Sequence, residues 1–231
     1  MNEKLNSQNF KMVVFDLDNT IFQKRFIDVC AEKFHFSQAL TLLRQIDNNA
    51  VSLTQRIAGF LAGRKKAELI EIAAVIPLVP DIVEVVMELK QQGCIVGIIS
   101  DSYQFVTEFV AKKINADFEM ANELQFTEGV ATGEVLIPSY FHYSTDSLCK
   151  HQVCKTNALR HICKRYGVKP DQSIAVGDSE NDACMLSKSG LGVSFCSTIE
   201  AVREVAKKHI EEASFKLLID YAQLDCARAI N

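Results

Sequence analysis

The run VVFDLDNT at residues 13–20 ends an apolar stretch on Asp16 and sets a second carboxylate, Asp18, two positions later. Unit charges 4 Å apart repel by about 4 kcal/mol at an effective dielectric near 20, so something must offset that repulsion. A second acidic pair, Asp178 and Asp182 in GDSEND at 177–182, spans the first turn of an expected helix, where both carboxylates can face one point. Taken singly, these residues have structural readings, as turn formers for the D-x-D pair and as a helix cap for Asp178 or Ser179. Taken together, four carboxylates need a cation. Oxygen-rich, cysteine-free ligation favours Mg²⁺, which keeps several waters and accepts one or two carboxylates plus a substrate phosphate. Ser100, closing the run IIS, and Lys155, near the start of a helical pattern, are unremarkable alone. A hydroxyl and an ammonium at the same rim would supply what a phosphoryl group needs as its charge shifts in the transition state.

The elements that must position these groups are three short apolar runs of one design. MVVFD at 12–16, CIVGIIS at 94–100 and SIAVGD at 173–178 are rich in β-branched residues and each ends in a polar side chain. Such runs suit strands buried on both faces of a parallel sheet. Helical patterns separate them, at 80–93, at 103–114 after Ser102, and at 153–167, two of them closing on glycine. The alternation predicts an α/β fold, a Rossmann-like parallel sheet with helices on both faces. In such sheets ligands bind beyond the carboxyl ends of the strands, where Asp16, Ser100 and Asp178 all fall.

Nearly eighty residues separate the first two strands, far more than a simple crossover helix requires. The stretches at 25–46, SLTQRIAGFLAG and KKAELIEIAAVI carry helical spacing, which predicts a small helical cap over 22–78, inserted into a core made of 1–21 and 79–231. LQFTEGVATGEVLIP at 124–138 has the alternation and turn glycines of a hairpin, GLGVSF at 190–195 reads as a short strand, and FKLLIDYAQLDCARAI as a terminal helix.

Hydrophobic residues make up 48% and charged residues 23% of the 231, which argues against disorder, and the net charge of −4 offers no basic field for nucleic acid or an anionic membrane. The first residues lack an apolar core of signal-peptide length and no long apolar run could span a bilayer, so the cytoplasm is the expected location. Eight cysteines without C-x-x-C spacing are expected to be reduced and mostly buried. His142, Cys149, His151 and Cys154 fall within thirteen residues, but their spacing matches no common zinc motif and a structural zinc is not expected.

DLDNT, IIS, CKTNAL and GDSEND, in that order over residues 12 to about 195, resemble the four motifs of the haloacid dehalogenase superfamily of phosphohydrolases. A helical insert between the first two motifs, with TGEV at 132–135, is similar to the subfamily that includes phosphoserine phosphatase. The resemblance implies hydrolysis of a small phosphorylated metabolite. Asp16 would be the nucleophile that forms an aspartyl-phosphate, and Asp18 the general acid and base. Mg²⁺ would be held by Asp16, the Asp18 carbonyl and Asp178, with Asp182 orienting them; Ser100, Lys155 and Asn181 would hold phosphate oxygens while Thr20 braces the first loop.

Three departures bear on the substrate. Arg25 stands nine positions beyond Asp16, where phosphoserine phosphatases carry a glutamate for the substrate's amino group, with Asp28 or Glu32 as substitutes if the loop differs. Arg56 corresponds to the cap arginine that meets the serine carboxylate. Asp101, in SDSYQF, replaces a small residue beside the phosphate, a spelling closer to relatives described as phosphoserine phosphatases with phosphohomoserine activity. Phosphoserine is therefore one candidate substrate. A phosphotransferase would use the same intermediate. A receiver-like signalling domain shares the acidic cluster, hydroxyl and lysine but lacks the large insert. Oligomeric state is not encoded in any motif.

Overall fold

The computed structural model describes residues 10–223. β1 (Met12–Phe15), β2 (Ile95–Tyr103), β3 (Phe118–Thr127), β4 (Val130–Leu136), β5 (Ser173–Gly177), β6 (Leu191–Phe195) and β7 (Lys208–Ile210) form one sheet in the order β4-β3-β2-β1-β5-β6-β7. Neighbours are parallel except in the β3–β4 hairpin. The chain builds outward from β1 through β2 to β3, then returns to the other side of β1 at β5. That reversal makes β1 and β5 a topological switch point, the place where open α/β sheets leave a crevice.

The apolar runs are continuous because both faces of the sheet are covered. Val13 and Phe15 enter one buried cluster with Ile174 and Val176, while Met12 and Val14 enter another on the opposite face with Ala158, Leu159 and Met185. Asp16 follows Phe15, so strand alternation turns it toward the second face. That face is covered by α7 (Lys155–Tyr166) and α8 (Glu180–Lys188), which carry Lys155 and Asp182. The other face receives α5 (Ile82–Gln91), whose Val85, Val86 and Leu89 are fully buried, and α6 (Gln104–Ile114). Fully burying side chains of this size contributes about 1.5–3 kcal/mol each. α5 and α7 are followed by Gly93 and Gly167, at φ +86° and +67°, a conformation that stops a helix at little cost only with glycine.

Four helices lie between β1 and β2: α1 (Phe26–Phe34), α2 (Ser37–Ile46), α3 (Ala50–Gly59) and α4 (Lys66–Val75). The helical stretch read at 25–46 divides at His35, which takes a left-handed φ of +63°. The insert leaves and re-enters side by side, with the Gln23 N–H donating to the Pro77 carbonyl and the Val79 N–H to that of Ile21, both at 2.9 Å. A second attachment runs to the hairpin. Gly63 donates to the Ala131 carbonyl, Ala131 to that of Arg64 and Lys66 to that of Gly129, each at 2.8 Å. Glu128 and Gly129 at the hairpin tip both have positive φ, the backbone of a two-residue turn matched to strand twist.

Several elements differ from expectation. The helix after Ser102 starts only at Gln104 because β2 runs on to Tyr103. The hairpin's first strand begins at Phe118, where the polar Glu119 and Asn122 mask the pattern and are satisfied by other elements: Thr107 donates to Glu119 at 2.6 Å and Asn122 to the Asp101 carbonyl at 2.7 Å. β7 is a three-residue edge strand with no apolar signal. A short helix α9 (Glu200–Val205) precedes it, and α10 (Leu217–Gln223) covers the described part of the expected terminal helix. The rest of that helix, with Cys226, lies outside the described residues. Among the described residues no helix is long and apolar enough to cross a membrane.

Candidate active site

Past β1 the chain folds tightly. Asn19 takes a left-handed φ of +59°, as asparagine tolerates, and the Phe22 N–H returns to the Leu17 carbonyl at 2.8 Å. This turn holds Asp16 and Asp18 at the carboxyl edge of the sheet. The Asp16 N–H donates to the Val176 carbonyl at 2.9 Å, joining the loop to β5, and Asp18 accepts the Phe26 N–H at 2.8 Å, joining it to α1.

Lys155 lies across the centre of the site. Its Nζ donates to Oδ1 of Asp16 at 2.6 Å and to Oδ1 of Asp182 at 2.7 Å, and all three side chains are almost fully buried. The other oxygen of Asp182 accepts the N–H groups of Asp178 and Ser179 at 3.1 and 3.0 Å and the Ser179 hydroxyl at 2.9 Å. Asp182 is thus saturated by donors and fixes the loop that carries Asp178. Thr20, fully buried, donates to Oδ1 of Asp178 at 3.4 Å, and the Ser197 hydroxyl donates to the Asp178 carbonyl at 2.6 Å.

The electrostatics leave the acids short of positive charge. Against burial, which disfavours an ammonium, Asp16, Asp182 and Asp101 hold Lys155 protonated well above its ordinary range. Burial, then Asp182, raises the Asp16 carboxyl well above the usual carboxylate value in spite of Lys155. The two directions oppose each other, and that of Lys155 governs, because one ammonium between two carboxylates stays charged while the acids compete for it. Burial pushes Asp18 up to about 7, although the Phe26 N–H favours its ionised form. Burial and then Asp182 push Asp178 up to about 6.

Asp16, Asp178 and Asp182 each offer an oxygen within 4.8 Å of the others. At Mg–O distances of about 2.0–2.1 Å, neighbouring octahedral ligands lie roughly 3 Å apart and opposite ones roughly 4 Å, so this hard, all-oxygen set fits Mg²⁺. Both oxygens of Asp182 are already bonded, so capacity for an ion remains on Asp16 and Asp178, whose Oδ1 atoms take the bonds from Lys155 and Thr20.

A cavity of about 390 Å³ opens over Asp16, Asp18 and Lys155. This is a small-molecule volume. Asp101, with its side chain half exposed, lines it, accepts from Asn181 Nδ2 at 2.7 Å and lies 3.8 Å from Lys155 Nζ. Burial would raise Asp101, but Lys155, Arg25 and Asn181 hold it below the usual carboxylate value. Asn181 therefore meets Asp101. Ser100 is fully buried, and its Oγ accepts the Ser102 N–H at 3.1 Å.

The insert supplies the cavity's other wall. Arg25, flanking α1, lines it, and no carboxylate of the described residues comes within ion-pair distance of its guanidinium. Arg56 does not occupy the place expected for it. Its side chain is 52% exposed, pairs with Asp47 at 3.1 Å and is absent from the lining, where Arg44 stands instead, 2.7 Å from Asp28. Two of the positions considered for a substrate amine also differ, since Asp28 is engaged with Arg44 and Glu32 does not line the cavity. Arg44 and Ser197 carry no local signal, because each is brought in by packing between distant segments.

The sequence model of the family described as Putative Phosphatase matches residues 11–192. Phosphoserine phosphatase of Idiomarina loihiensis is 30% identical over 189 residues, covering 80% of this chain and 81% of that protein. Phosphoserine phosphatase SerB2 of Mycobacterium tuberculosis is 28% identical over 95% of this chain, which spans 53% of its length. Among solved structures, a HAD family hydrolase from Salmonella enterica serovar Typhi superposes with a TM-score of 0.79 at 24% identity, over 90% of this chain and 69% of that one. A phospho-aspartyl intermediate analogue of phosphoserine phosphatase does so with 0.77 at 23% identity, over 92% and 99%. The family match covers β1 to β5, the insert and every acidic residue of the site, and on that ground the chain belongs to the Putative Phosphatase family, as a phosphoserine phosphatase-like member.

Proposed function

We propose that this chain hydrolyses a small phosphomonoester that carries a further anionic group, with Mg²⁺ as cofactor and an aspartyl-phosphate as intermediate. One observation supports the reading above others: Asp16, Lys155 and Asp178 meet at the strand edge beneath a cavity whose opposite wall carries Arg25 and Arg44. An oxygen of Asp16 attacks phosphorus while the bond to the leaving oxygen breaks, and Asp18 gives that oxygen its proton. Asp18 then takes a proton from the water that attacks the acyl-phosphate, releasing phosphate and regenerating Asp16. Lys155 holds Asp16 in place and offers positive charge to the phosphoryl oxygens, with the buried Ser100 hydroxyl at the end of the neighbouring strand. Mg²⁺, held by Asp16, Asp178 and the Asp18 carbonyl, supplies charge neutralisation for the phosphoryl group when bound. Residues 22–78 act as the cap that closes the cavity from water, and the cytoplasm, where small phosphorylated metabolites are abundant, is the proposed setting.

Arg25 decides the substrate class. The Arg25 guanidinium makes no ion pair within 4 Å among the described residues, although Asp101, Asp178, Asp18 and Asp28 act on it from farther off; with a donor set left for substrate it favours a carboxylate or second phosphate on the leaving group and opposes a free ammonium beside it. A screen of phosphorylated metabolites with Mg²⁺, including phosphoserine, phosphohomoserine, sugar phosphates and nucleotides, is expected to rank anionic leaving groups first. Arg25→Glu should lower kcat/KM for the best of them by about 10- to 100-fold, the loss of one hydrogen bond to a charged group, and improve the relative rate for phosphoserine. An unchanged ranking in the folded variant would remove Arg25 from the specificity argument. No phosphate release from any member of the screen would overturn the hydrolase reading.

Metal binding has its own readout. At a hundredfold excess over its dissociation constant Mg²⁺ should add about 2.7 kcal/mol of stability, a rise in Tm of roughly 5–10 °C for a chain of this size. Asp178→Ala should abolish most of that shift; an equal shift in the variant would place the ion elsewhere.

A further inference from the structure

A second group of ligand-type side chains stands beside the acidic site. Cys149 and His151 on the segment before α7, Cys154 flanking its first turn, and Cys184 in α8 each offer one ligand atom, and the four atoms all lie within 4.8 Å of one another. The sequence conceals this set. The local spacing is C-x-H-x-x-C, and the fourth member comes from thirty residues beyond Cys154. His142, the other residue of the local cluster, is engaged elsewhere, with its Nε2 3.2 Å from the Ile137 carbonyl. All four cysteine and histidine side chains are available in chemical form, since the three thiols are free.

We propose that Cys149, His151, Cys154 and Cys184 bind one zinc ion as a structural Cys₃His site. Zn–S bonds near 2.3 Å and Zn–N bonds near 2.0 Å set tetrahedral ligand atoms roughly 3.5–3.8 Å apart, so closing this set around an ion needs shifts of about 1 Å. Thiolates with an imidazole select zinc over the hard Mg²⁺ that suits the neighbouring carboxylates. Four protein ligands leave no open coordination position, which makes the site structural.

The position gives the ion a task. Cys154 precedes Lys155, whose ammonium bridges Asp16 and Asp182, and Cys184 follows Asp182 by two residues. Zinc would therefore tie the start of α7 to the first turns of α8 and fix the two helices that carry the bridge. It would also anchor the segment leading into α7, where His151 contributes to the cavity wall. That segment is already tied by Tyr143 to the Gln152 carbonyl at 2.8 Å, by Cys154 to that of Phe141 at 2.9 Å, and by Arg160, which pairs with Asp146 and donates to the Ser144 hydroxyl at 2.9 Å.

Co²⁺ is the probe, titrated into the reduced full chain after chelator treatment, with excess Mg²⁺ present to occupy the carboxylate site. Thiolate-to-cobalt charge-transfer bands and the intense visible bands of tetrahedral Co²⁺ should saturate at one equivalent and vanish on adding Zn²⁺. Cys149→Ser and Cys184→Ser should each weaken binding at least about tenfold, while Cys196→Ser, an exposed cysteine outside the set, should leave it unchanged. Absence of tetrahedral bands in the wild-type chain would overturn the proposal even if a variant failed to fold. Unchanged bands in both serine variants would overturn it too, as would recovery of the native chain without metal and with Cys154 and Cys184 joined as a disulfide.

Discussion

Asp16→Asn is expected to lower phosphate release by at least about 10³-fold, because an amide of nearly the same shape cannot form the acyl-phosphate. The loss should come without unfolding. Lys155 keeps Asp182 at 2.7 Å, and the substitution removes a buried carboxylate whose charge burial and Asp182 both oppose. Stability should therefore hold or rise, as thermal unfolding of the assayed sample would show. Retention of more than roughly a few per cent of the wild-type rate in the folded variant would assign the nucleophile elsewhere.

Lys155→Met should have the largest effect on stability. Methionine fills similar space, but Asp16 and Asp182 would then share a buried site with no cation between them. Breaking a buried ion pair by removing one partner costs about 3–5 kcal/mol. In metal-free buffer the denaturant midpoint should fall accordingly at unchanged slope. Saturating Mg²⁺ should restore part of the loss by returning positive charge to the acids, while turnover stays depressed by about 10²-fold or more because a donor to the phosphoryl group is gone. A loss under about 1 kcal/mol in metal-free buffer would mean that the acids are neutral there and that the ammonium contributes little.

What could be read from the sequence was set by how locally each feature is encoded. β1, β2, β5 and β6 announce themselves because strands buried on both faces need unbroken apolar runs, and Asp16, Ser100 and Asp178 stand out because they end such runs. The start of β3 does not, since Glu119 and Asn122 are satisfied by partners that only the fold supplies. The same limit applies at the site. The family resemblance assigns Arg56 to the cavity, yet its side chain pairs with Asp47 outside the lining and Arg44 of the preceding helix takes the wall. Asn181 meets Asp101, a contact between residues eighty positions apart that no local pattern announces. Cys184 is the clearest case: nothing within its own segment marks it, and only the packing of α7 on α8 brings it to Cys154.

The central claim is that phosphate passes through Asp16, and acid-quenched turnover tests it most directly. The wild-type chain, mixed with Mg²⁺ and its best substrate from the screen and stopped in acid within the first turnovers, should carry the mass of one added phosphoryl group. Peptide mapping should place that group on the segment containing Asp16, and hydroxylamine should remove it. Under the same conditions Asp16→Asn should carry none. A phosphorylated segment lacking Asp16, or label that persists in Asp16→Asn, would contradict the account.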